Sequence, residues 1–138
     1  MMNEHAASFA DSWHRNAVEQ VVRSLEAAFN AHNPDALAAC YSENTVWTNA
    51  MGRRLLGRAA VAEFGHSVIS RLKDSYARYE IASIVALRPD LLAVGVDQTP
   101  TDADGIAIDG GHGAALYVIG LEIDGWRIVA GQNTIVAS

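Results

Sequence analysis

The sequence lacks the features that would place it outside the ordinary globular proteins. It has a single cysteine among 138 residues, so it cannot form an internal disulfide, which agrees with a reducing compartment. Only three residues are proline and half are hydrophobic, which excludes a disordered or low-complexity chain. A chain of this length buries about two-thirds of its unfolded surface. The composition therefore predicts one globular domain with its own core.

Basic residues are also scarce. The chain has 10 Lys and Arg against 16 Asp and Glu, a formal net charge of −6, and a negative chain is repelled by a phosphate backbone. No apolar run approaches the roughly 18 residues that cross a bilayer. Residues 1–16 lack the apolar core of a signal peptide. We therefore expect no nucleic-acid partner, no membrane partner and a cytoplasmic location.

Motifs for metals and cofactors are missing as well. No two histidines have metal-ligand spacing, and Cys40 has no partner cysteine, so Cys40 is expected to act as a small buried hydrophobe. The acidic residues between 102 and 109 lack the closing glutamate of a calcium loop. The glycines between 105 and 113 do not join a strand to a helix, as a phosphate-binding loop would. We predict no metal and no cofactor.

Three helices are predicted in the first half of the chain. Apolar residues recur every three or four positions at Val18, Val21, Val22, Leu25 and Phe29. Asn16 and Glu19 have capping-box spacing, so the first helix is predicted to begin at Asn16, after an N-terminal extension of residues 1–16. Pro34 opens a short second helix that reaches Tyr41. A third helix is predicted over residues 58–72.

The second half of the chain is predicted to form strands. Runs of β-branched and aromatic residues indicate strands at 45–49, 76–87, 91–99, 114–123 and 126–136. The last two runs are apolar on both faces, so helices must cover one face and another partner the other. We predict an α+β domain over residues 17–138, with three helices on a curved, mostly antiparallel sheet, that forms a homodimer through the outer sheet face.

Three segments of the sequence resemble a known superfamily. The segment PDALAACYSENTVWTNAMGRRLLGRAAVAEF, from Pro34 to Phe64, is similar to the short helix, spaced Tyr and Trp, glycine turn and third-helix start of NTF2-like (SnoaL-like, cystatin-like) proteins. The segments VALRPDLLAV and DGWRIVAGQNT are similar to the SgcJ/EcaC, or DUF4440-type, branch. The resemblance extends from about Ala17 to the C-terminus and implies a cone with one apolar pocket.

The steroid-isomerase branch of this superfamily implies where pocket residues lie. Its general-base aspartate falls on Asn49, and an amide has no useful basicity. Its tyrosine donor falls near Leu25, and its protonated-acid donor falls near Tyr117. Because two of these three positions carry no suitable group, steroid-isomerase chemistry is not the leading interpretation. Strand alternation within the same match implies that Trp47, Asn49, Tyr117 and Asn133 face the pocket.

The pocket residues allow a chemical and a structural interpretation. Asn49 and Asn133 could orient a ligand carbonyl or hydroxyl, or could satisfy backbone groups at strand ends. Tyr117 could donate to an oxyanion, or could be a core tyrosine with a partnered hydroxyl. Trp47 could be a ligand platform or part of the core. Tyr79 is a further substrate-binding candidate in a strand of unknown register.

Two titratable residues are candidates for proton transfer. His66 lies beside the apolar stripe of the third helix and could act as a general acid or base, or could be a surface histidine. Asp97 could bind substrate or act as a base if it faces the pocket, because desolvation would raise its pKa, or it could simply face solvent.

Two functions are open at this point. The first is binding or conversion of a small hydrophobic or weakly polar metabolite without a cofactor, in the manner of an isomerase, cyclase or dehydratase. The second is a non-catalytic dimeric module that binds such a ligand. A titratable group inside the pocket would distinguish the two.

Overall fold

The computed structural model describes the backbone of residues 4–136 and the side chains of residues 12–136. Three helices and six strands follow each other along the chain. They are α1 (Glu4–Asn30), α2 (Pro34–Ala38), β1 (Tyr41–Thr48), β2 (Arg54–Leu56), α3 (Arg58–Leu72), β3 (Tyr76–Arg88), β4 (Leu91–Thr101), β5 (His112–Glu122) and β6 (Gly125–Val136).

The six strands form a single curved, open sheet in the order β2-β1-β6-β5-β4-β3. Strands β3 to β6 form an antiparallel meander, and β1 also pairs with β2 in the antiparallel orientation. The pairing of β1 with β6 is parallel, so the sheet is mixed. The predicted α+β class, with three helices on a mostly antiparallel sheet, is confirmed.

The core lies between the helices and the inner face of the sheet. The predicted stripe of α1 is buried at Val18, Val22 and Leu25. On the sheet, Val94 and Val96 of β4 alternate with exposed or half-buried residues, as the period of two in a strand requires. The apolar residues that follow the helix period in α1 and the strand period in β4 therefore pack together in one layer.

Helix α1 begins earlier than predicted. It begins at Glu4, within the predicted extension, and Asn16 lies in its interior rather than at its start. Tertiary contacts explain the difference. Trp13 packs edge-on against Trp126 at 5.3 Å between ring centroids, and Nε2 of buried His14 lies 3.0 Å from the backbone oxygen of Pro89. These contacts extend the helix past a local capping signal.

The segment between α2 and α3 also differs from the prediction. Helix α2 ends at Ala38, and Tyr41 begins β1 instead of closing the helix. The short strand β2 was not predicted, because three residues are too few to show a strand pattern in the sequence. Their pairing with residues 46–48 of β1 makes them a strand. Cys40 is buried, as predicted, and its thiol lies 3.7 Å from the backbone oxygen of Ala36.

Candidate functional site

A cavity of about 380 Å³ lies between the helices and the inner face of the sheet. This volume is within the range of small-molecule sites. Its wall is mainly aliphatic and aromatic. The helices contribute Leu25, Phe29, Leu37, Val68 and Leu72.

Five of the residues singled out in the sequence line this cavity. They are Trp47, Asn49, Tyr79, Tyr117 and Asn133. The side-chain alternation assumed for β1, β5 and β6 is therefore correct, and Tyr79, whose register the sequence left open, faces inward. Their chemical roles remain predictions that the geometry alone does not test.

Strand register brings the aromatic residues of the wall together. Trp47 of β1, Gly131 of β6 and Tyr117 of β5 are neighbours in one cross-strand row. A Cβ atom on Gly131 would lie 2.8 Å from Cδ1 of Tyr117. Because Gly131 has no side chain, the Tyr117 ring can lie across β6 at this point. The Tyr117 phenol is thereby placed in the cavity wall.

Four polar side chains form a directed chain of hydrogen bonds along the wall. The indole nitrogen of Trp47 donates to Oδ1 of Asn133 at 2.8 Å. Asn133 Nδ2 donates to Oε1 of Gln98 at 3.3 Å, and Gln98 Nε2 donates to the Tyr117 hydroxyl at 3.3 Å. An indole N–H can only donate, so Trp47 fixes which way both amides point. The chain ends on the oxygen of Tyr117.

Three buried phenols meet at this end of the chain. Burial raises the pKa of Tyr41, Tyr79 and Tyr117 above the ordinary value of 10. Hydrogen bonds from Asn133, Gln98 and Tyr41 oppose this rise at Tyr117. All three phenols are therefore protonated donors at neutral pH. The oxygen of Tyr117 accepts from Gln98, and none of the hydrogen bonds found among the described residues is donated by the Tyr117 hydroxyl.

Asn49, which lines the cavity, stabilises a backbone turn. Its Oδ1 accepts hydrogen bonds from the backbone nitrogens of Met51 and Arg53, each at 3.0 Å. These bonds close the turn that leads from β1 to β2. The Asn49 oxygen is therefore occupied by the backbone. The amide nitrogen has no hydrogen-bond partner among the described residues.

The two titratable candidates lie outside the cavity, contrary to the site predicted from the sequence. His66 is exposed on α3, where its Nε2 lies 2.9 Å from Oδ1 of Asp35 on α2. Asp97 is exposed and pairs with Glu80 and Ala114 on the outer sheet face, because its neighbour Gln98 points inward. Neither residue can reach a ligand in the cavity, so neither belongs to the candidate site.

Among the cavity residues that were not predicted from the sequence, four carry side chains of chemical interest. Gln98 lies two positions after Val96 and continues the inward alternation of β4. Tyr41 was assigned to a helix. His32 ends α1 with a φ of 53°, and its Nε2 lies 2.8 Å from the backbone oxygen of Ser75. Arg71, in the last turn of α3, is the fourth. For His32 and Arg71 the sequence carried no signal, since neither follows an apolar stripe.

The glycine-rich connection after β4 is a turn closed by its own side chain. Oδ1 of Asp102 accepts from the backbone nitrogens of Asp104 and Ile106 at 2.9 and 3.0 Å. In the part of the chain that the structure describes, no three His, Cys, Asp or Glu residues are grouped as metal ligands. None of the described helices is long and apolar enough to cross a membrane.

The fold is that of a small α+β protein in which three helices and a curved sheet enclose one cavity. Residues 21–130 match the family model described as a SnoaL-like domain. This match covers most of the chain, so the protein belongs to the SnoaL-like family of small-molecule-binding and isomerase-like proteins. No curated protein matches the sequence.

Solved structures share this fold. A domain of unknown function with a cystatin-like fold from Nostoc punctiforme PCC 73102 has a TM-score of 0.79 at 20% identity, over 90% of this chain and 78% of that one. A ketosteroid isomerase-like protein from Erwinia carotovora atroseptica SCRI1043 has a TM-score of 0.71 at 19% identity, over 89% and 96%. An NTF2-like protein from Novosphingobium aromaticivorans has a TM-score of 0.74 at 14% identity, over 100% and 92%. At these identities the likeness shows the fold alone.

Proposed function

We propose that this protein binds a small, mainly apolar molecule in the cavity and orients it through a hydrogen bond from Tyr117 to a ligand carbonyl. The observation that carries the proposal is the directed chain that ends on the Tyr117 oxygen. A buried hydroxyl proton without an acceptor costs free energy. A ligand carbonyl beside Tyr117 would remove this cost, and the apolar wall would bind the rest of the molecule.

Binding is favoured over proton-transfer catalysis by the chemistry of the wall. Among the described residues no Asp or Glu lines the cavity, and the three phenols cannot act as bases at neutral pH because their raised pKa values keep them protonated. Conversion remains the second candidate because of His32. Its ring reaches the wall, and Nε2 faces the backbone oxygen of Ser75. That contact leaves Nδ1 as the basic nitrogen.

The test compares two probes that differ in one carbonyl, 2-acetylnaphthalene and 2-ethylnaphthalene. Isothermal titration calorimetry would measure both against the wild type, Tyr117→Phe and the control Tyr76→Phe, since Tyr76 is not part of the cavity wall. The ketone is expected to bind the wild type and Tyr76→Phe about threefold to tenfold more tightly than the hydrocarbon, the value of one hydrogen bond. Tyr117→Phe should abolish that advantage. An advantage that survives in Tyr117→Phe would refute the role given to this phenol.

We also propose that the protein is a homodimer formed through the outer sheet face. Cross-strand register aligns six aliphatic residues in one row on that face: Leu56, Val46, Ala130, Val118, Ala93 and Val85. Leu56 is 68% exposed, and Leu116, which lies two positions before Val118 in β5, is 55% exposed. A contiguous apolar band of this kind on a sheet face is typical of an interface. A second copy would cover the band and leave both cavities on the opposite side of the sheet.

A further inference from the structure

The charges around the cavity differ from those of the chain as a whole. The protein has 16 Asp and Glu against 10 Lys and Arg, yet no carboxylate lines the cavity among the described residues. The lining contains one guanidinium, that of Arg71, and one imidazole, that of His32. Although the protein is acidic, its described carboxylates therefore lie outside the cavity wall.

Arg71 lies at the rim of the cavity. It belongs to the last turn of α3, next to Leu72, and its side chain is exposed. The backbone nitrogen of Ser75 donates to the oxygen of Leu72 at 2.9 Å, and Nε2 of His32 lies 2.8 Å from the oxygen of Ser75. The two basic side chains of the lining are therefore linked through residues 72–75 at this end of the cavity, whereas the other polar side chains of the lining are uncharged.

Arg71 is also without a carboxylate partner in the described part of the chain. Other arginines form salt bridges within 4 Å, among them Arg23, Arg58, Arg88 and Arg127. Arg71 forms no such contact, although Asp74 follows three positions later. Its guanidinium has five donors in a fixed fork that suits a carboxylate.

We propose that the ligand carries an anionic group, a carboxylate, that pairs with Arg71 at the rim while its apolar body fills the cavity. This inference rests on the proposed function and names the ligand class for the same site: an amphipathic organic acid. The neutral donors of the interior suit a carbonyl oxygen, and the unpaired guanidinium suits a full negative charge. Because the rim is exposed, the ion pair is screened by water and contributes modestly to affinity.

The test uses octanoate and octan-1-ol, which share an eight-carbon chain and differ in charge. Calorimetry would measure both against the wild type, Arg71→Gln and Lys73→Gln. The control removes the same charge two residues away, from a side chain outside the cavity wall. In Arg71→Gln the dissociation constant of octanoate is expected to rise about threefold to fivefold. That of octanol should change less than about twofold, and Lys73→Gln should behave as the wild type.

Three results would overturn the inference. Octanoate affinity that is unchanged in Arg71→Gln, or that falls equally in Lys73→Gln, would show no specific pairing with Arg71. Binding of octanol without binding of octanoate would exclude the anionic ligand and leave the proposed function intact. If neither probe binds the wild type, the cavity does not accept an apolar chain of this size. That result would exclude the amphipathic acid, whereas the binding of 2-acetylnaphthalene would still decide whether the proposed function holds.

Discussion

The indole nitrogen of Trp47 donates a 2.8 Å hydrogen bond to Oδ1 of Asn133, and this contact sets the polarity of the whole cavity wall. Because an indole N–H cannot accept, the amide of Asn133 must present its nitrogen to Gln98. Gln98 in turn donates from its amide nitrogen to the hydroxyl of Tyr117. A tryptophan on one strand thus determines which atom of a phenol two strands away remains available to a ligand.

A double-mutant cycle would measure this contact. Asn133→Leu leaves the Trp47 N–H unpaired, and Trp47→Phe removes that donor together with some packing. The free energy lost in the double variant should be smaller than the sum of the single losses by about 1 kcal/mol, the value of one hydrogen bond. Urea denaturation of all four proteins gives the coupling. Strict additivity would mean that the hydrogen bond contributes nothing to stability.

Asn49→Leu is expected to destabilise the fold before it affects binding. The substitution removes the acceptor of the backbone nitrogens of Met51 and Arg53, which should lower the free energy of unfolding by about 1 to 3 kcal/mol. Urea denaturation measures this loss. Unchanged stability combined with weaker binding of 2-acetylnaphthalene would instead assign Asn49 to the ligand.

Alkaline pH should destabilise the protein through Cys40. Burial raises the pKa of this thiol from 9.0 to about 11, and the charge of Arg127 lowers it only in part. Between these values the unfolded thiol is ionised and the folded one is not, so stability falls as pH rises. The expected loss is about 1.4 kcal/mol per pH unit, and it should be absent below pH 9.

The control for this prediction is Cys40→Ala, followed by urea denaturation from pH 7 to pH 11. In this variant the fall should begin only near pH 10, where the unfolded tyrosines ionise while Tyr41, Tyr79 and Tyr117 stay protonated in the folded state. An equal loss of stability between pH 9 and pH 10 in both proteins would show that the thiol is not responsible.

The dimer is tested by sedimentation. The wild type should have twice the chain mass of 14.8 kDa at micromolar concentration. Leu116→Glu places a charge on the outer sheet face, two positions before Val118 of the apolar band, and should give monomers. Met51→Glu, at an 84% exposed position on the cavity rim, should not. A monomeric wild type would refute the dimer, and a dimeric Leu116→Glu would move the interface to another surface.

Much of the fold could be predicted because it follows from local periodicity. The stripe of α1 and the whole of α3 follow from spacings of three and four residues, and the four long strands follow from runs of β-branched and aromatic residues. The start of α1 could not be predicted in this way, because the contacts of Trp13 and His14 join residues far apart in sequence. Strand β2 exists only through its pairing with β1.

The site was only partly predictable for the same reason. Strand alternation, anchored by the resemblance to the steroid-isomerase branch, placed Trp47 and Tyr117 correctly. In β4, Asp97 was predicted and Gln98 was missed, although Gln98 shares the parity of the larger residues Val94 and Val96. His66 was misplaced because helix periodicity does not reveal its partner on another helix.

The central claim is that Tyr117 orients a carbonyl ligand in this cavity, and a crystal structure of the protein with 2-acetylnaphthalene tests it most directly. We expect the naphthalene rings within the apolar wall and the ketone oxygen at hydrogen-bond distance, about 2.5 to 3.0 Å, from the Tyr117 hydroxyl. A ketone oxygen that points away from Tyr117, or a ligand bound outside the cavity, would contradict the claim.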